Sequence, residues 1–125
     1  MEIEIEESAV ALLDQYCKIR PSTTEMILDR ILREWWSNEV RQWVKYPQLF
    51  KALPKVTERK TMKVNINTEH ARQYKKTIKL IEKRFLIQIN PVTLASFLAR
   101  VFIKKFNVEY MEKSYKEKFG HIHKV

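Results

Sequence analysis

The sequence predicts a mainly α-helical protein. The order strand, helix, helix occurs twice, the two strands form a short antiparallel ribbon, and an extra helix follows at the C-terminal end. Three observations predict this. "MEIEIE" at the start and "TMKVNIN" at 61–67 both alternate apolar and polar side chains, the period of a half-buried strand. Each is followed by stretches whose apolar residues recur every three or four positions, the period of an amphipathic helix. One glycine and four prolines among 125 residues leave too few tight turns for an all-β fold.

Residues 2–6 form the first predicted strand, with Glu2, Glu4 and Glu6 on one face and Ile3 and Ile5 on the other. A helix follows from Glu7 to Ile19 with Val10, Leu13 and Cys17 on one side, and "RPST" ends it. Ser22 and Glu25 read as an S-x-x-E capping box that opens the next helix. That helix carries Ile27, Ile31, Trp35, Val40 and Trp43 inward and runs to about Lys45, before Pro47 stops it. Residues 1–46 are thus one unit. Residues 47–60 are a linker with a single helical turn between its prolines.

The pattern restarts over 61–66, with Thr61, Lys63 and Asn65 on one face and Met62, Val64 and Ile66 on the other. Asn67 or Thr68 caps a helix to about Phe85 that turns Ala71, Tyr74, Ile78, Ile81 and Phe85 inward. "LIQI" is a loop. Asn90 suits an N-cap and Pro91 the first helical position, so a helix spans about 91–106 with Leu94, Leu98, Val101 and Phe102 buried. The second unit is therefore 61–106. Residues 107–125 form a last charged helix, about 108–119, and a tail, with Gly120 as the helix cap. Laying "IRPSTTEMILDRILREWW" (19–36) on "INPVTLASFLARVFIKKF" (89–106) aligns Ile19 with Ile89, Pro21 with Pro91, Thr23 with Thr93, Leu28 with Leu98 and Arg30 with Arg100. The reading is an internal duplication.

A hydrophobic content of 45% supports a real core. The net charge of +9 is uneven: residues 1–45 carry −3 and residues 46–125 carry +12. A basic half of that size predicts a polyanionic partner. The single cysteine excludes an internal disulfide framework and fits a reducing compartment. No apolar run is long enough to span a bilayer and the first residues are acidic, which predicts no membrane association and a cytoplasmic location.

A lone strand leaves its backbone groups unpaired, so each predicted strand needs the other. Two such strands make a ribbon whose apolar face rests on helices and whose polar face is free, and a two-stranded ribbon fits the major groove of B-DNA. The alternating strand, amphipathic helix, short turn and second helix opened by a Ser, Thr or Asn cap, over 2–36 and again over 61–106, resemble the ribbon-helix-helix family of DNA-binding proteins. Two copies in one chain look most like transcription regulators of archaeal viruses, which would act in the host cytoplasm.

The resemblance implies that Thr61, Lys63 and Asn65 read bases. Their chemistry suits this independently: Lys donates to guanine, Asn pairs with adenine through two bonds, and Thr contacts thymine. It implies that Ser22, Thr23, Thr24, Asn90 and Thr93, at the helix starts, bind backbone phosphates. Lys75, Lys76, Lys79, Lys83 and Arg84 add non-specific attraction. The acidic strand would be repelled by phosphate. Pairing within the chain, Glu strand beside Lys strand, is therefore preferred over pairing with a second molecule, because opposite charges then face each other. The expected outcome is an intramolecular pseudo-dimer that associates further and represses or activates by occupying promoter DNA.

Consecutive Trp35 and Trp36 cannot both face one core, so Trp35, Trp36 and Trp43 include a candidate protein contact, as do residues 108–119. Two other functions stay open, an antitoxin-like interaction protein and a non-specific nucleic-acid coat. His121, His123 and Cys17 lack the partners of a metal site. His70 reads as solvent-facing. No phosphate-binding glycine loop or catalytic constellation is present, so neither an enzyme nor a cofactor is predicted.

Overall fold

The structure of the chain, a computed structural model, describes residues 1–119 and, beyond Asn107, the side chain of Glu109 alone. The predicted cap at Gly120 and the residues His121 and His123 lie outside the described residues. In chain order the elements are β1 (Glu2–Glu6), α1 (Glu7–Ile19), α2 (Thr24–Glu34), a π-helical turn (Trp35–Glu39), α3 (Val40–Lys45), α4 (Gln48–Lys51), β2 (Thr61–Asn65), α5 (Thr68–Phe85) and α6 (Pro91–Phe119). The fold is mainly helical with one two-stranded antiparallel sheet among the described residues.

The two strands pair within the chain, Glu2 opposite Asn65, Ile3 opposite Val64, Glu4 opposite Lys63, Ile5 opposite Met62 and Glu6 opposite Thr61. Ile66 extends the ladder by donating its N–H to the Met1 carbonyl at 2.9 Å. Ile3, Ile5, Val64 and Ile66 are buried against the helices, so the alternation is expressed as a wet face and a dry face. Met62 departs from it: although placed on the inner face by parity, it is 43% exposed. Helix α6 lies along β1 and covers Ile5, which leaves the Met62 side of that pair at the rim.

Helix α1 packs on α6 and α2 packs on α5, while α2 also touches α1 and α6. Leu13, Leu28, Leu32, Tyr74 and Leu94 meet in one core. Two hydrogen bonds from backbone N–H groups to side-chain oxygens tie this crossing together. The Glu6 N–H, where β1 turns into α1, donates to Ser96 Oγ on α6 at 2.9 Å. The Asn67 N–H, where β2 turns into α5, donates to Asp29 Oδ1 on α2 at 3.1 Å.

The helix from Thr24 to Lys45 is continuous as expected, but it contains a π-helical turn in which the Val40 N–H bonds to the Trp35 carbonyl five residues back. Trp35 and Trp43 are eight residues apart, and an uninterrupted α-helix would turn the second about 80° away from the first. The widened turn absorbs one residue, so both rings enter the core, edge to face with centroids 6.2 Å apart. Trp36 is half-buried beside the core, its ring 6.4 Å from the His70 ring. Both neighbours therefore pack inward, contrary to the expectation drawn from simple helical spacing.

The predicted break near 107 is absent. Helix α6 runs unbroken through 29 residues, and the division between 61–106 and 107–125 falls inside it. No proline or glycine interrupts 92–119, and a single Asn at 107 costs a helix only about 0.7 kcal/mol relative to alanine.

Candidate nucleic-acid interface

The outer face of the ribbon carries Lys63 and Asn65, both exposed, and Thr61, which is half-exposed. The antiparallel register brings these three onto the same side as Glu2 and Glu4. Glu4 stands opposite Lys63 in the register and accepts a hydrogen bond from the Thr61 hydroxyl. Asn65 Oδ1 accepts from the Met1 α-ammonium at 2.8 Å. The face is mixed in charge, with Lys63 and the Asn65 amide both on β2.

Glu6 does not join that face. As the last strand residue and the cap of α1, it has φ −62° and ψ 136°, and its carboxylate turns inward. It is 4% exposed, accepts from Arg100 Nη1 and from the Glu58 N–H, both at 2.8 Å, and so ties β1, the linker and α6 together. Arg100 Nη2 reaches Ser8 Oγ and Glu58 Oε1 at 2.8 and 3.1 Å. Burial raises the Glu6 carboxyl, but the Glu58 N–H and the Arg100 guanidinium outweigh it and hold the group below its ordinary value. The sequence offers no signal for this cluster, since Glu6, Glu58 and Arg100 are more than forty residues from one another.

The helix starts differ from one another. On α2 the cap is Thr23 rather than Ser22, its hydroxyl accepting from the Met26 N–H at 3.2 Å. Ser22 is half-exposed, and Thr24 donates its hydroxyl to Asp14. On α6 the Asn90 side chain accepts from the Val92 N–H at 2.9 Å and the Thr93 N–H at 3.4 Å, as a cap should. Thr93 is 1% exposed and donates its hydroxyl back to the Asn90 carbonyl at 3.0 Å, so it has no surface to offer a phosphate. The start of α2 is open to solvent at Thr23, and that of α6 is closed by its own side chains.

His70 also departs from its expected place. Its Nδ1 lies 2.9 Å from both oxygens of Asp29, with only about a quarter of each side chain exposed. Asp29 therefore braces the start of α5 through two contacts, the ring and the Asn67 N–H.

Compared with known proteins, the chain matches no protein-family model, no curated protein and no solved structure. Among the described residues no cluster of His, Cys, Asp or Glu could hold a metal ion, and no helix is long and apolar enough to cross a membrane.

Proposed function

We propose that the chain is a sequence-reading, double-stranded DNA-binding regulator of ribbon-helix-helix type, with both halves of the ribbon in one polypeptide. The observation that carries this reading is the antiparallel pairing of β1 and β2 within the chain, with Lys63 and Asn65 on its exposed face. Strand β2 reads base edges in the major groove, and β1 supplies the backbone ladder that holds it flat.

The crossing of the halves supports the duplicated arrangement. Glu6 and Asn67, each the cap of the helix that follows its strand, are 61 positions apart, and their partners Ser96 and Asp29 are 67 positions apart. The caps Thr23 and Asn90 are also 67 apart, and at that spacing buried Ile27, Leu28, Ile31 and Leu32 correspond to buried Leu94, Ala95, Leu98 and Ala99. The alignment by identities at a spacing of 70 is therefore three residues out of step. Pro21 precedes its cap, whereas Pro91 follows Asn90 as the first residue of its helix. In a two-fold pair each strand end is held by the second helix of the other half, which is the relation these two hydrogen bonds repeat.

Selection of binding sites from random duplex DNA tests the reading. The wild type enriches a short motif, and the double variant Lys63→Ala/Asn65→Ala loses the preference at the positions those side chains read. Identical motifs from both proteins would remove β2 from the reading role. Binding without any enriched motif would favour a non-specific coat.

A further inference from the structure

We propose that the outer side of α5 is a second DNA-binding surface, separate from the ribbon, which grips the sugar-phosphate backbone of duplex DNA without regard to sequence. Arg72, Lys76, Lys79 and Lys83 follow one another at steps of four, three and four residues, which sets them in a single line along the helix. All four are exposed, and Lys75 stands beside the line. The buried residues Ala71, Tyr74, Ile78 and Ile81 occupy the opposite side, so the line points away from the core.

The charges on that line are uncompensated. Among the described residues none of these five side chains makes an ion pair. The two carboxylates of α5 are turned to other partners: Glu69 accepts from Gln73 Nε2 at 3.1 Å, and Glu82 accepts from the Ile89 N–H at 3.0 Å. Arg84 lies off the line, its guanidinium over the ring of Phe85. Like charges one helical turn apart repel, so the line lowers the stability of the isolated helix and is relieved by a polyanion. Helix α1 at the start of the other half has no such feature: its charged residues are Glu7, Asp14 and Lys18.

The chemistry selects the partner. From Arg72 to Lys83 the helix rises about 16 Å, over which one strand of a duplex presents about five phosphates at about 3.4 Å each. Of the two phenyl-type rings of α5, Tyr74 is fully buried and Phe85 is half-buried with the Arg84 guanidinium over it, which disfavours stacking of unpaired bases and so single strands. Ala71, Tyr74, Ile78 and Ile81 are taken up by the core and of the large apolar side chains of α5 only Leu80 is well exposed, too little for the helix to lie in a membrane surface as an amphipathic anchor does. A row of cations with no well-exposed aromatic ring beside it fits a duplex backbone.

The test measures binding to random-sequence duplex DNA as a function of salt for the full chain. The triple variant Lys76→Ala/Lys79→Ala/Lys83→Ala lowers the slope of log affinity against log salt by about 2 to 3 units, close to 0.9 for each phosphate that is no longer neutralised. A control that removes three exposed lysines elsewhere, Lys18→Ala/Lys51→Ala/Lys104→Ala, has the same net charge and keeps the slope within about 1 unit of wild type. Circular dichroism establishes that both variants are folded. Equal slopes for the two triple variants overturn the proposal, as does a stripe variant that changes self-association in sedimentation and leaves DNA affinity intact. The ribbon reading fails separately: Lys63→Ala/Asn65→Ala would then leave the selected motif unchanged, whatever the salt slope of the α5 variant.

Discussion

Arg100 Nη1 stands 2.8 Å from Glu6 Oε1, joining the end of the first strand to the middle of the last helix across 94 positions of sequence. The pair decides where the acidic strand stops being acidic surface. Two of its carboxylates, Glu2 and Glu4, stay on the ribbon face, and the third is drawn into the structure as a clasp between β1, the linker and α6.

Arg100→Leu leaves the buried Glu6 carboxylate with the Glu58 N–H but without its counter-charge. Removing one partner of a fully buried pair costs about 3–5 kcal/mol, and because Arg100 keeps 34% of its side chain in water the expected loss is smaller, about 2 kcal/mol. Urea unfolding at neutral pH measures it. The same pair sets a pH dependence. The folded Glu6 carboxyl titrates below its unfolded value, so its stabilisation is complete above about pH 4.3 and disappears as pH falls through the folded value. Glu6→Gln should be less stable at pH 7, and its stability should fall less than that of wild type on acidification below pH ~4.

Leu86 ends α5 in the left-handed region, at φ 54° and ψ 46°, with 90% of its surface exposed. A β-carbon in that region costs about 1–2 kcal/mol, and here no burial offsets it. The following Ile87 N–H returns to the Glu82 carbonyl at 3.2 Å, a helix-ending pattern that ordinarily takes glycine. Leu86→Gly is expected to stabilise by about 0.5–1 kcal/mol after the added freedom of the unfolded chain is counted, and to raise the melting temperature. Leu86→Ala, which retains the β-carbon, should give no gain.

Much of this architecture is legible in the sequence because it depends on local patterns. Both strands are visible as alternation, and Asn67, Asn90 and Pro91 mark helix starts through the bonds that those residue types make there. What escapes depends on distant contacts. Ser22 and Thr23 are both good caps by residue type, and only the structure shows that Thr23 takes the role while Thr24 next to it donates to Asp14 on α1. His70 reads as surface until Asp29 is placed beside it. Thr93 lies at a helix start yet is buried, in the region where Phe50 and Leu53 of the linker come near the α5–α6 loop. The π-helical turn leaves a faint trace, since the inward residues Ile27, Ile31 and Trp35 keep a spacing of four and then slip by one before Val40.

That slip yields a test of its own. A π turn holds one residue more than the α turn it replaces, so deleting the exposed Asn38 should restore a plain α-helix with Trp35 and Trp43 still on one side. The deletion is expected to change stability by no more than about 1 kcal/mol and to preserve the near-ultraviolet signal of the packed rings. Deleting Lys79 from the regular helix α5 gives the contrast. It turns Ile81 about 100° away from the core and should cost about 3 kcal/mol or more.

On the outer face of the ribbon, Glu4 stands opposite Lys63 and holds the Thr61 hydroxyl. On the proposed function, a duplex that enters at the ribbon must displace the Thr61–Glu4 hydrogen bond and tolerate a carboxylate in a groove of negative potential. Glu4→Gln removes the charge, retains an acceptor for Thr61 and leaves the strand backbone unchanged. Affinity for the selected DNA site should therefore rise by about five- to tenfold at low salt, roughly 1 kcal/mol, and the gain should shrink as salt screens the carboxylate. Glu7→Gln, just beyond the strand at the start of α1, removes an equal charge away from Lys63 and should gain less than about twofold. Equal gains from the two variants would mean that net charge alone governs binding and that β2 has no privileged position on the duplex.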